Sequence, residues 1–361
     1  MKTPHILMMA AGTGGHVFPA LAVSEELTQR GAVIHWLGTA SGMENALVAP
    51  TGYAFHSIAM QGLRGKGVAR LLKMPVTLLS ATMAAMKIIR SNQIDMVVGF
   101  GGYVTAPGGI AARMTGTPLI IHEQNAIAGM SNRYLAKMAT KVLQAFDNTF
   151  ANSQSSSKLV TVGNPVRNAI TGVAAPEARY DVNDSSPLRL LVVGGSLGAQ
   201  VLNTNVPKAL AMLDKPFAVY HQCGRNNEQA TQAAYDSQPL SRHKVTVQPF
   251  IEDMAAAYNW ADIVVCRAGA LTVTEIQNVG IPAIFVPLPH AVDDHQTANA
   301  RALTEHGAAI LLPQSELSAE RLSAELATFD RAKCLQMAEK GHALANRSAT
   351  EQVVDIIWQH L

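Results

Sequence analysis

The sequence predicts an α/β protein of two domains, each a parallel sheet with helices on both faces. Three observations predict it. Short runs rich in Val, Ile and Leu alternate with helical stretches along the 361 residues. Those runs lack the apolar–polar alternation of a half-exposed strand, so crossover helices are expected to cover both faces. A glycine-rich turn joins an apolar run to a helical stretch twice, about half a chain apart.

The first run, 6–10, leads through Gly12-Thr-Gly-Gly-His16 into a helix that begins near Val17. Further strands are expected at 33–37, 95–98, 118–121 and 141–143. A polar stretch at 151–157 and the turn Gly163-Asn-Pro165 close a first domain, 1–163. The second domain, 164–344, begins its sheet at Leu188–Val193, turns through Gly194-Gly-Ser-Leu-Gly-Ala199, and continues with strands at 217–220, 244–247, 262–265 and 283–286. The tail 348–361 places Val353, Val354, Ile356, Ile357 and Trp358 on an amphipathic helix. Residues 345–361 are therefore expected to pack back on the first domain.

Composition excludes several classes. A net charge of +2 gives no whole-chain attraction to nucleic acid. Cys223, Cys266 and Cys334 are widely spaced, which suits free thiols and not a zinc site. The N-terminal apolar stretch ends at a glycine loop and is needed as a strand, so it is not read as a secretory signal. Residues 96–112 carry no charge, but six glycines and prolines interrupt them, so no membrane-spanning helix is expected. From Asn45 to Ile94 there is no Asp or Glu, while Arg64, Lys66, Arg70, Lys73, Lys87 and Arg90 lie among apolar residues. Such a stretch suits either an anionic lipid surface or a core-packed helix with a solvated basic face.

Glycine-rich turns at helix starts let backbone N–H groups approach an anion, and the helix dipole adds positive potential. Neither turn completes G-x-G-x-x-G, since Val17 occupies the third glycine position, and no P-loop is present. A third glycine segment, Phe100 to Gly109, and His122-Glu-Gln-Asn125 each follow a strand, where open α/β sheets place ligand groups. In the second half, Arg267 to Glu275 leads from strand to helix; its N–H groups near Ala270–Thr272 suit a phosphate and Glu275 suits ribose hydroxyls. Left to itself, Glu275 would be a surface helix-pairing residue. His290, Asp293, Asp294 and His295 lack a fixed metal-ligand spacing, so a sugar-hydroxyl site is expected there and no metal. The chain contains no Asp-x-Asp pair for a metal-bound diphosphate.

These motifs, in this order, resemble the bacterial MurG-type N-acetylglucosaminyltransferases of peptidoglycan synthesis. The likeness runs through 12–20, 101–107, 122–126, 163–167, 194–199, 270–275 and 295–300, spanning most of the chain. It implies the GT-B fold, two Rossmann-like domains facing across a cleft, with no cofactor. It also implies inverting transfer of N-acetylglucosamine from its UDP conjugate to the muramyl 4-hydroxyl of the membrane-bound acceptor lipid I, giving lipid II. Carried over by motif, His16 is the general base, for which an ordinary histidine pKa of about 6.5 is suited. Thr13, Gly14, Gly15, Asn125, Arg167, Ser196, Ile251, Ala270, Leu271, Thr272, Val273, Thr274, Glu275 and Gln296 are the candidate donor residues, with Ile251 meeting uracil through its backbone. Gly14, Gly15, Gly101, Gly102, Tyr103 and Gly195 are candidates for the acceptor diphosphate.

Because the acceptor is a lipid, the resemblance assigns Arg70, Leu71, Lys73, Met74 and Leu78 to contact with an anionic membrane surface. It places the chain on the cytoplasmic face of the bacterial inner membrane, near other cell-wall synthesis and division proteins. The family has glycine where this chain has Ala11; a methyl group there fits an ordinary backbone angle or narrows the acceptor pocket. Two other readings stay open: a non-hydrolysing UDP-N-acetylglucosamine 2-epimerase of similar build, and a nucleotide-sugar binding protein without catalysis.

Overall fold

The computed structural model describes residues 2–60, 68–150, 157–289 and 294–361, with side chains from residue 74 onward in the second stretch. Two compact units result, 1–167 with 346–361, and 168–345. The division thus falls after Arg167, four residues beyond the 163 expected, because Asn164 and Val166 are buried with the first unit.

The first unit is a seven-stranded sheet: β1 (His5–Ala10), β2 (Val33–Gly38), β3 (Ala54–Ser57), β4 (Met96–Gly101), β5 (Leu119–Glu123), β6 (Lys141–Gln144) and β7 (Leu159–Thr161). Its order is β3-β2-β1-β4-β5-β6-β7, parallel throughout. One strand shows why the apolar runs do not alternate. Leu7 and Met9 of β1 join a core with Val97, Ile121 and the helices Val68–Ser91 and Thr105–Thr115. Ile6, Met8 and Ala10 join the opposite core, with Trp36, Val98 and helix Gly14–Gln29.

The C-terminal helix Ala349–Gln359 completes that second core with Val353, Val354 and Ile357, all fully buried. Each such side chain contributes roughly 1.5–3 kcal/mol. The exposed Arg30–Asp355 ion pair beside them contributes well under that, about 0–1 kcal/mol. Burial, not charge, therefore attaches the tail to the first unit.

The second unit is a six-stranded parallel sheet: β8 (Leu188–Val193), β9 (Phe217–Gln222), β10 (Lys244–Gln248), β11 (Ile263–Cys266), β12 (Ala283–Phe285) and β13 (Ala309–Leu311), ordered β10-β9-β8-β11-β12-β13. At the start of β11, buried Asp262 accepts from Arg189 at 2.7 Å and from Arg331 at 2.8 Å. Strands β3, β7 and β13 were not among the sequence expectations; each has only three or four residues. In both sheets the strand order reverses beside the first strand, between β1 and β4 and between β8 and β11. Open α/β sheets bind ligands at such switch points, and both glycine turns lie there.

Candidate active site

In the first unit the chain leaves β1 at Ala10 and enters helix Gly14–Gln29 through Gly12, whose φ of +92° favours glycine. The first N–H groups of a helix, here those of Gly14 and Gly15, have no intrahelical acceptor and so suit an anion. Gly12 does not: its N–H donates to Glu44 Oε2 at 3.3 Å. The N–H groups of the turn that suit an anion are therefore those of Gly14 and Gly15 and not that of Gly12.

His16, half-buried, has its Nδ1 at 3.1 Å from the carbonyl of Ala11. A carbonyl only accepts, so Nδ1 carries the proton and Nε2 holds the basic lone pair. Gly101 and Gly102 wall this corner. A Cβ on Gly101 would lie 2.8 Å from the imidazole, and one on Gly102 would collide with the Ala11 carbonyl. Ala11 itself is fully buried at an ordinary backbone angle and joins the core with Leu7 and Met9. Its methyl packs into that core.

The segment His122–Asn125 is an internally bonded turn. Glu123 accepts from Asn125 N at 3.0 Å, Asn125 Nδ2 at 3.1 Å, Gly129 N at 3.0 Å and Asn132 Nδ2 at 2.9 Å. His122 is fully buried, donates from Nε2 to Gly163 O at 2.9 Å and accepts at Nδ1 from Gln124 Nε2 at 3.0 Å. Burial pushes its pKa down to about 4. His122 thus aligns the turn and stays neutral, while Asn125, half-buried, follows the end of β5. Arg167 stacks on Phe18 with its guanidinium carbon 4.6 Å from the ring centroid, next to the helix start.

A pH prediction follows from His122, joined by His221, which burial in the second unit lowers to about 3. The unfolded chain takes up protons near pH 6.5 that the folded chain refuses, so stability is fully present above that pH. It is lost as pH falls toward 4, by roughly 3 kcal/mol for His122. Urea midpoints at pH 7.5 and 5 should differ, and His122→Asn should shrink the difference. An equal difference in the variant would assign the acid sensitivity elsewhere.

In the second unit the turn after β8 is tightly built. Gly198, at φ +77°, sits against the carbonyl of Cys223 with no room for a side chain. Gly195 and Ser196 are exposed. Ile251 is buried and its N–H already donates to Gln222 Oε1 at 2.9 Å, so its backbone offers a ligand the carbonyl. The same Gln222 amide donates to Gly195 O at 3.1 Å, tying the glycine turn to Ile251.

Helix Ala270–Val279 begins at Gly269. Leu271 and Thr272 are half-buried at its start. Val273 is fully buried and its N–H bonds Gly269 O at 2.9 Å, while Thr274 Oγ1 donates to Ala270 O at 3.0 Å. The Val273 N–H and the Thr274 hydroxyl are thus both engaged within the helix. Glu275 is not a surface pairing residue: it is buried and accepts from Tyr258 OH at 3.1 Å. Arg267 is occupied by Val286 O, Pro287 O and Gln314 Oε1. Gln296 Oε1 accepts from Leu288 N at 2.9 Å. His290 and Asp293 lie outside the described residues, and among those described no cluster of three or more His, Cys, Asp or Glu is placed to hold a metal ion.

Of the basic stretch, Arg64 and Lys66 lie outside the described residues, as do the side chains of Arg70, Leu71 and Lys73. Met74 and Leu78 are half-buried. The exposed apolar positions of helix Val68–Ser91 are instead Val76, Leu79 and Met83, at 71%, 61% and 62% exposure. Ala81, Ala85 and Ile89 form its buried face, and the spacing of 3 and 4 residues separates the two stripes. Among the described residues no helix is long and apolar enough to cross a membrane.

Sequence reasoning missed Glu44 and Gln222. Only the place of Gln222 at the end of a strand could have signalled it; Glu44 sits in a short helix, Met43–Val48, that looks like ordinary surface.

Comparison with known proteins shows the family. Residues 6–144 match the N-terminal domain of glycosyltransferase family 28 and residues 189–357 its C-terminal domain. The chain is 81% identical over its whole length to a Psychrobacter cryohalolentis protein, also matched over 100%, named UDP-N-acetylglucosamine–N-acetylmuramyl-(pentapeptide) pyrophosphoryl-undecaprenol N-acetylglucosamine transferase. The crystal structure of Acinetobacter baumannii MurG aligns with a TM-score of 0.85 and 46% identity, covering 99% of each chain. The glycosyltransferase of kitacinnamycin, at 18% identity, a TM-score of 0.73 and 100% coverage of each chain, shares the fold alone. With both halves matched and relatives of this length and identity, the chain belongs to glycosyltransferase family 28, among its MurG-type enzymes.

Proposed function

We infer that this chain transfers N-acetylglucosamine from UDP-N-acetylglucosamine to the 4-hydroxyl of the muramyl sugar of lipid I, forming lipid II with inversion at the anomeric carbon. The observation that carries it is the 81% identity, end to end, with a protein named for that transfer. A 2-epimerase is not favoured, since the named relatives are transferases.

The residues supply a chemically balanced step. With its Nδ1 proton committed to Ala11 O, His16 accepts the hydroxyl proton at Nε2. The acceptor oxygen forms its bond to the anomeric carbon as the carbon–phosphate oxygen bond breaks. That electron pair leaves on UDP, whose diphosphate the helix start at Ala270 and Ser196 would stabilise. Glu275 would bind the ribose, Gln296 the sugar hydroxyls, and Gly14 and Gly15 the acceptor diphosphate. Labelled UDP-N-acetylglucosamine with a lipid I analogue tests the reading. Label in lipid II with matching UDP release supports it; epimerised donor or bound donor without turnover overturns it.

The lipid acceptor makes a membrane surface the natural partner of Val76, Leu79 and Met83, flanked by Lys87 and Arg90. Leu79→Glu with Met83→Glu is expected to lower binding to anionic vesicles by about 10-fold or more, since each loses roughly 1.5–3 kcal/mol of apolar transfer. Lys87→Gln with Arg90→Gln should instead flatten the salt dependence. Sedimentation with vesicles reads both, and unchanged partitioning would return this face to plain solvent.

A further inference from the structure

We propose that Glu44 is a positioning residue for the transfer reaction, setting the shape of the two glycine segments that hold His16. Glu44 is fully buried beneath the first glycine turn. One carboxylate oxygen accepts from Thr39 N at 2.9 Å and Thr39 Oγ1 at 2.8 Å, and the other from Gly12 N at 3.3 Å. The Thr39 hydroxyl has spent its one proton on Glu44, so the contact at 3.3 Å with Tyr103 is donated by the Tyr103 hydroxyl. A directed chain results, Tyr103 to Thr39 to Glu44, and the same carboxylate takes the Gly12 N–H.

Both ends of that chain reach the candidate base. Gly12 follows Ala11, whose carbonyl holds His16 Nδ1 and whose N–H bonds Gly101 O at 3.3 Å. Tyr103 follows Gly101 and Gly102, which pack on the imidazole and on Ala11, and its ring lies over Gly12. Room for the carboxylate is built in: a Cβ on Gly42 would overlap it. Only a carboxylate can accept from all three donors with both oxygens. An amide of the same shape would turn an NH2 toward either Gly12 N–H or Thr39. Glu44 touches no reacting atom in this account; it acts through the shape of the turn and rests on the reading of His16 as base.

The test uses the full chain with Glu44→Gln, Thr39→Val, Thr39→Ser, His16→Ala and the double variant of His16→Ala with Glu44→Gln. Glu44→Gln is expected to lower kcat at saturating substrates by about 10- to 100-fold, as a displaced catalytic group does, and to leave KM for UDP-N-acetylglucosamine within about 2-fold. Thr39→Val should fall the same way and Thr39→Ser, which keeps the hydroxyl, should recover. In the double variant Glu44→Gln should add little to the His16→Ala loss, because two groups acting as a unit are not additive. Thermal midpoints above the assay temperature establish folding, and Thr39→Val carries the test if Glu44→Gln does not fold. Wild-type kcat in folded Glu44→Gln, a change confined to KM, or full additivity overturns the proposal. A near-normal His16→Ala instead sinks the base assignment, and the positioning role with it.

Discussion

His16→Ala is expected to lower the transfer rate by about 100-fold or more, the usual cost of losing a general base. Two features of the first unit make the effect this large. The imidazole is held in one tautomer by Ala11 O, so the basic nitrogen is already set before substrate arrives. Gly101 leaves the room that the ring occupies, since a Cβ there would lie 2.8 Å from it. UDP affinity should be unchanged, because the nucleotide candidates Ile251, Ala270 and Glu275 belong to the second unit. Steady-state transfer and calorimetric UDP binding on the same preparation separate the two quantities. A variant that transfers at near the normal rate would remove His16 from the role of base.

Gly102→Ala is expected to cost stability and activity together. At φ +87° an added side chain is strained, and its Cβ falls on the Ala11 carbonyl that holds His16. Strain of this kind costs roughly 1–3 kcal/mol before the collision is relieved. Relief moves the carbonyl, and a displacement near 1 Å at a catalytic group costs about 100-fold in rate. Gly116→Ala is the matched control. Its φ is +76° at the end of helix Thr105–Thr115, but nothing lies within 4 Å of an added Cβ. It should lose only about 1 kcal/mol and no activity. Equal urea midpoints and equal rates in the two variants would show that the Gly102 contact carries no functional weight.

Particular residues show what could be read without coordinates. The run 6–10, without a polar residue, already implied a strand covered on both faces, and Ile6 and Leu7 do enter different cores. Glycine turns after β1 and β8 were legible because glycine is the residue that tolerates positive φ where a backbone must approach a ligand. Strands β3 and β13 were not: each is a short edge strand paired on one side and only partly buried, unlike the equally short but fully buried inner strands β11 and β12. Leu78 and Leu79 illustrate a finer limit. Both are apolar and adjacent, yet only the rotation of the helix against Thr105–Thr115 decides that Leu79 faces outward.

The sequence by itself determined the α/β class, the glycine turns after β1 and β8 and the family to which the chain belongs. These are local properties: periodicity, glycine placement and motif order are written along the chain. The tertiary structure decided that Gly12 N–H is taken by Glu44, that Ile251 N–H is taken by Gln222, and that Ala11 faces the core. Glu44 lies 32 residues from Gly12, and Gln222 lies 29 from Ile251. A hydrogen bond depends on where two distant atoms come to rest, and only the packed sheets bring them within 3.3 Å.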